Sequence, residues 1–316
     1  MARGVPSLTD TTSASDELGP APGNEKTERQ IERGREDSRF IPVVLKRSDQ
    51  SVRHPDDVLR NAIQEGTEQA GRPLASLFLS AISAGAILGF AAMAVGVMAT
   101  LFGAEGPVPQ RILLAIVYPL GFVLCLISGT QLFTEHTALA VYPVLDRRRS
   151  VTSLFRVWGT VLVGNLVGCA LGAGLIAMAD GVIGAAEGYA SVAEHMMHYT
   201  ATETLMSAVL AGWLMALGGW LILATLPDFS QIAVIYVTTF LIGLGGLHHS
   251  IAGTSEILVA AFTGAPVTAG GAITTIATAV LGNLIGGSLF VGVLNYGHIR
   301  ETQLVREDDG DSSRDG

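Results

Sequence analysis

Polar and apolar positions divide the chain into three blocks. Residues 1–73 are polar and charged, 74–297 are nearly free of charge, and 298–316 are polar again. An apolar block of that length predicts a polytopic membrane domain between two soluble tails. Within it, continuous apolar runs predict spans at 74–103, 157–179, 205–226 and 271–296, each long enough to cross a bilayer. Two further runs are interrupted. One begins at 111–128, meets Gly129-Thr-Gln-Leu132-Phe133-Thr134-Glu135-His136-Thr137 and resumes over 138–145. The other covers 232–247, meets His248-His249-Ser250-Ile-Ala-Gly253-Thr254-Ser255-Glu256 and ends in a short apolar tail over 257–262. Each half of this second run is too short to cross a bilayer comfortably, while the two together suffice. Ionisable groups in mid-span are expensive, and they face an internal cavity or pathway. Gly253 and Ser250 suit a local break in the helix, which is tolerated at that depth where protein or a wet cavity receives the freed backbone groups. The expectation is six spans, with the second and fifth broken.

The halves repeat. Gly164-Asn165-Leu166-Val167-Gly168 in the third span and Gly282-Asn283-Leu284-Ile285-Gly286 in the sixth lie 118 residues apart. Subtracting that offset from 248–252 lands on 130–134, inside the first interrupted run. Three spans per half force the second copy to be inverted in the membrane, an arrangement that places sites at the repeat interface. The fold class expected is therefore an all-α membrane protein with an inverted 3+3 repeat.

Charge assigns the faces. Of 19 lysines and arginines, eleven lie in the N-terminal tail, four between Arg147 and Arg156, three after Gly297, and one is Arg111. Six crossings put all but Arg111 on one side, so both termini are expected to be cytoplasmic and the base-free 180–199 loop external, in a cell membrane. The net charge of −9 does not oppose this, because acidic residues count little in that rule. The domains expected are a disordered tail at 1–54, an amphipathic cytoplasmic helix at 55–73 with Val58, Leu59, Ala62 and Ile63 on one face, the membrane domain at 74–297, and a cytoplasmic tail at 298–316. No signal-peptide pattern is visible in the first seventy residues. Cys125 and Cys169 fall inside spans, which gives no disulfide framework. Only two of the bases are lysine and the tails are acidic, a composition that fits a halophilic source.

Leu132-Phe133-Thr134 in the second span, His249-Ser250-Ile251-Ala252 in the fifth and Gly-Asn-Leu-Ile-Gly in the sixth together resemble the formate/nitrite transporter family over about 60–297. The resemblance implies an aquaporin-like fold, a homopentamer with one pore per subunit, and passage of small monovalent anions or their conjugate acids. By position it implies that His249 is the central histidine and Thr134 the loop threonine facing it. Leu132, Phe133 and Phe122 would form the cytoplasmic-side constriction, Tyr118 and Ile242 the outer one, and Asn283 would be the pore asparagine. Three positions depart from the family pattern. Gly253 stands for an asparagine after Ser-Ile-Ala, Met196 for a basic residue of the outer vestibule, and Gly212 for an asparagine of the fourth span. His195 or His198 replaces the missing positive charge only when protonated.

Other roles remain open for several residues. His248 either faces the pore or is structural. Glu256 either lines the cytoplasmic path, pairs with a neighbouring histidine, or bonds a backbone group. Structural satisfaction suits it and Glu203 alike, and Asn165 and Asn283 suit interhelical hydrogen bonding as well as substrate contact. The expected function is a channel or transporter with proton-linked passage past His249. The partners are the lipid bilayer, a small anion or weak acid, and protons. No enzyme activity, metal, cofactor or nucleic-acid partner is expected. The alternatives are a neutral-solute pore, or an intramembrane metalloenzyme using His136, His248, His249, Glu135 and Glu256. The first lacks paired Asn-Pro-Ala loops and the second lacks a His-Glu-x-x-His signature.

Overall fold

The computed structural model describes residues 53–103, 106–225 and 229–312. The expected tail at 1–54 therefore falls almost wholly outside the described residues, as does residue 226, the expected end of the fourth span. Among the described residues, five helices or continuous helical stretches are long and apolar enough to cross a membrane, and one bent pair makes a sixth. In chain order, α1 (Pro55–Gly71) precedes the first span, α2 (Leu74–Phe102). The second span is α3 (Pro107–Val117) continued by α4 (Pro119–Ile127), and the short α5 (Phe133–Leu139) and α6 (Tyr142–Leu145) follow its break. The third span is α7 (Val151–Met178). The second half repeats this order, with α10 (Ala201–Ala224), the bent pair α11 (Phe229–Gly245) and α12 (Ser250–Phe262), and α13 (Ala269–Ile285). Between the halves lie α8 (Asp180–Ile183) and α9 (Ala186–Met197). The last span passes through a π-helical segment, Gly286–Val293, into α14 (Leu294–Ser312). First packs against third in each half: α2 along α7, and α10 along α13.

The breaks differ in place from the sequence expectation. The chain turns at Gly129, with φ 69°, and again at Gly246, with φ 59°, the left-handed region open to glycine without steric cost. Helix resumes at Phe133 and Ser250, so Gly253 and Ser250 belong to α12 and do not form the break. Both pairs of positions, 129/246 and 133/250, lie 117 apart by subtraction. The sequence offset of 118 was set by the asparagines, and it misplaced the loop register by one residue. His248 stands opposite Gln131, and His249 opposite Leu132. Arg111 to Ile127 is also not half a span, because Val108–Ile127 alone is long enough to cross.

Local signals explain the remaining boundaries. Ser150 caps α7, its hydroxyl accepting from the Ser153 amide at 3.2 Å, so this span begins six residues before the apolar run at 157. Thr200 and Glu203 form a reciprocal capping box on α10. Glu203 thus has a structural partner. The stretch expected as an external loop folds back as α9, which packs on α2 and α12. At the opposite end α1 buries Val58, Leu59, Ala62 and Ile63. Burying Val58, Leu59 and Ile63 stabilises the docked helix by about 1.5–3 kcal/mol per side chain. Arg149 donates to the Thr67 carbonyl at 2.9 Å and Arg156 to that of Ala70, so two arginines pin the C-terminal part of α1.

Candidate functional site

The site is built where the two breaks meet, and one asparagine holds each. The Asn165 side chain accepts from the Phe133 amide at 2.8 Å and donates to the carbonyls of Ala81 at 2.8 Å and Gln131 at 2.9 Å. Asn283 does the same in the other half. It accepts from the Ser250 amide at 2.8 Å and donates to Ala208 at 2.8 Å and His248 at 3.0 Å. Each amide therefore ties the first residue of a resumed helix, the loop before it and the neighbouring first or fourth span. Unpaired backbone groups at this depth would be costly. Every polar atom of Asn283 is engaged with backbone, and its side chain is fully buried. Gly212 supports the same latch: a Cβ there would stand 2.3 Å from the Asn283 carbonyl oxygen. The departure at 212 is thus required by close backbone approach.

The latches present His249 and Thr134 to each other. Thr134 Oγ1 lies 2.9 Å from His249 Nε2, and both side chains are almost fully buried. His249 also caps α12, its Nδ1 accepting from the Ala252 amide at 3.1 Å. An N–H can donate only to an unprotonated ring nitrogen, so the proton of the neutral ring is on Nε2 and points at Thr134. Phe122 packs edge-on against the His249 ring at 4.9 Å between centroids, and Tyr118 lies 5.1 Å from Phe122. Leu132, Phe133 and Ile242 are buried in the same apolar cluster.

His248 points elsewhere. Its Nε2 lies 3.0 Å from the Met196 carbonyl, which can only accept, so Nε2 carries the proton. Nδ1 then accepts from the Ser207 hydroxyl at 2.9 Å, while the same oxygen accepts from the His248 amide at 3.0 Å. This ring is fully satisfied as a neutral structural group. Met196 in turn fills the space beside Gly253, where a Cβ would meet the Met196 methyl at 2.6 Å. Two of the three departures from the family pattern are therefore one packing contact.

A cavity of about 270 Å³ is lined by Arg111, Tyr118, Ile242, His195 and Glu256, among others. The guanidinium of Arg111 donates to the carbonyls of Leu244 and Gly245, at the end of α11. It thereby neutralises the negative end of that helix dipole and leaves a cation at the mouth. His195 is not the compensating charge. Burial, then the charges of Arg111, His248 and His198, hold its pKa below the usual value. Sequence reasoning missed Arg111 as a site residue, although it was the one base outside the set expected to be cytoplasmic. Glu256 lies at this cavity and not toward the Asp146 end of the molecule. In the other half, the Glu135 side chain packs near Gly219, and the buried His136 ring has no hydrogen-bond partner among the described residues. No three His, Cys, Asp or Glu side chains among the described residues gather in a metal-holding group, so the five residues named for a metalloenzyme do not converge.

Six crossings in two inverted halves, with broken spans meeting at a buried polar pair, define a membrane channel or transporter. The chain matches the formate/nitrite transporter family over residues 56–297, and it belongs to that family. It is 30% identical over 244 residues to the inner membrane protein YfdC of Escherichia coli K12, covering 75% of this chain and 76% of that protein. Its fold matches an FNT family ion channel at TM-score 0.70 and 22% identity, over 77% of this chain and 99% of the other. It also matches a pentameric formate channel with formate bound at TM-score 0.61 and 23% identity, over 71% and 96% of the two chains. The protein is thus a transporter by family and not an enzyme.

Proposed function

We propose that this protein passes small monovalent anions such as formate or nitrite, together with a proton, as one pore of a homopentamer in the cell membrane. The termini and the Arg147–Arg149 loop lie on the cytoplasmic side, as the distribution of basic residues requires, and the acidic, lysine-poor chain suits a halophile. The Thr134–His249 hydrogen bond, closed in by Phe122, carries this reading. A bare anion cannot pass an apolar constriction without a severe desolvation cost. A carboxylate whose conjugate acid has a nominal pKa of about 4 takes a proton more readily as its water is removed, because desolvation disfavours the charged form. The neutral His249 Nε2–H then transfers its hydrogen bond from Thr134 to an oxygen of the passing molecule, and the threonine hydroxyl supplies a second polar contact. Leu132, Phe133 and Phe122 close one side of this point, and Tyr118 and Ile242 the other. Asn283 acts by holding the His249 loop in place.

Proteoliposomes test the proposal through uptake of labelled formate, nitrite, acetate and hydrosulfide, with and without a pH gradient. Formate and nitrite should enter faster than into protein-free vesicles, and an inward proton gradient should accelerate them. Uptake of none of the four above the protein-free rate would overturn the reading.

A further inference from the structure

Glu256 has no role in the latches or in the Thr134–His249 pair. Its side chain is only 6% exposed, yet it lies on the wall of the 270 Å³ cavity. Among the described residues it makes neither a hydrogen bond nor an ion pair. Its carboxyl has no side-chain or backbone partner among the described residues and opens onto the cavity, and in a membrane span such groups mark ion paths and proton relays. The charged and titratable groups facing it across the cavity are Arg111 and Tyr118 from the second span and His195 from α9. The first span completes the wall with Val95 and Ala99 and carries no titratable side chain. From the third span, Cys169 is engaged with the Ile251 carbonyl at 3.4 Å.

An anion drawn to Arg111 enters the same cavity that Glu256, Tyr118 and Ile242 line. Two carboxylates confined in so small a space do not both stay ionised, and they share a proton. Transfer between them exchanges one carboxylic acid for another, since the glutamate side chain and a simple carboxylic acid carry the same functional group.

We propose that Glu256 protonates the incoming anion. Its carboxyl O–H bond breaks as the O–H bond of the conjugate acid forms, and Glu256 is left as a carboxylate. The neutral acid moves on to Thr134 and His249, while Glu256 regains a proton from hydronium at the Arg111 end of the cavity. One proton and one anion therefore enter together. This inference rests on the proposed anion pathway and assigns its proton donor to Glu256, leaving His249 neutral throughout.

The test compares wild type, Glu256→Gln and Glu256→Asp in proteoliposomes, reading labelled formate uptake together with internal acidification. At about pH 7 the glutamine variant should lose on the order of tenfold in uptake. At about pH 4.5, where formic acid is supplied directly from solution, the gap should narrow to about twofold or less. The aspartate variant should follow the wild-type pH profile. A purely structural role would depress uptake equally at both pH values, which would overturn the proposal. So would a glutamine variant that equals wild type at neutral pH in both readouts. Wild type that moves no formate would instead refute the pathway reading itself. Should the glutamine variant not assemble, infrared difference spectra of wild type with 13C-formate decide. A protonated-carboxyl band of the protein must change on formate addition, and an unchanged band overturns the assignment.

Discussion

The two breaks are built alike and filled differently. Each has a left-handed glycine, Gly129 or Gly246, then a short loop, then a resumed helix whose first amide is bound by an asparagine of the next span. At the residue before the resumed helix they diverge. Leu132 caps α5 with no side-chain hydrogen bond, whereas His249 caps α12 through its own ring. The scaffold is therefore symmetric and the chemistry is not. At this position the first repeat supplies an apolar side chain and the second a hydrogen-bonding ring. The resumed helices differ too, with seven residues in α5 and thirteen in α12. The longer one carries Glu256 toward the cavity.

Breaking the latches should have the largest effect, and a similar one in each half. Asn165→Leu and Asn283→Leu each leave a buried amide and a loop carbonyl without partners, at about 1–3 kcal/mol per group. Neither variant should yield assembled protein, as read by native mass in detergent. If Asn283→Leu assembles normally and loses only flux, its amide serves the substrate and not the loop. Exchanging the divergent residues comes next. His249→Phe should cut formate flux on the order of 100-fold in assembled protein, the effect of about 3 kcal/mol at the constriction. His249→Asn should retain more flux, and His248→Asn should act mainly on stability. Wild-type flux from His249→Phe would show that the pore does not pass this pair.

Arg111 allows a smaller and more conditional test. Replacing it by glutamine removes the guanidinium from the cavity wall. Formate uptake at low ionic strength should fall about 5- to 30-fold, and the loss should shrink in molar salt, where the screening length is about 3 Å. His195→Gln should change uptake little at pH 7, because a depressed pKa leaves that ring uncharged there. A large His195→Gln effect confined to neutral pH would reverse the assignment of the vestibule charge.

The spans, the two interruptions and the repeat were legible in the sequence because membrane crossing writes a long apolar run, and a buried polar group interrupts it visibly. The pairing of Thr134 with His249 was reached through the family resemblance, since residues 115 positions apart leave no local periodicity to read. Register at the breaks was not legible. The asparagines repeat at 118 and the loops at 117, and only backbone geometry reveals the one-residue difference. The fold-back of α9 was hidden because its anchor, Tyr189 packed against Gly96, is a tertiary contact. The box of Thr200 and Glu203 did carry a readable signature, a threonine followed three residues later by glutamate. It would have moved the start of the fourth span from 205 to 201.

The smallest effect expected lies at the opposite end from the cavity, where the polar contacts fasten helices and line no path. Asp146 receives Arg148 at 2.6 Å and also Arg300 from α14. Burial opposes its charge, but hydrogen bonds and charge from the two arginines win and hold its carboxyl below the usual range. A depressed carboxyl contributes stability above the unfolded-state pKa of about 3.9, and that contribution is lost as pH falls through the folded-state value. Both arginines are substantially exposed, 52% for Arg148 and 40% for Arg300, so solvent screening limits the contribution to about 1 kcal/mol. Asp146→Asn should lower thermal stability by a few degrees at pH 7 and leave formate flux unchanged. The variant and wild type should converge only as pH falls below about 3.9 and on through the depressed folded-state value, where the wild-type carboxyl takes up its proton. A flux defect in Asp146→Asn at matched assembly would mean that this end also controls passage, and the contrast between a fastening end and a conducting end would not hold.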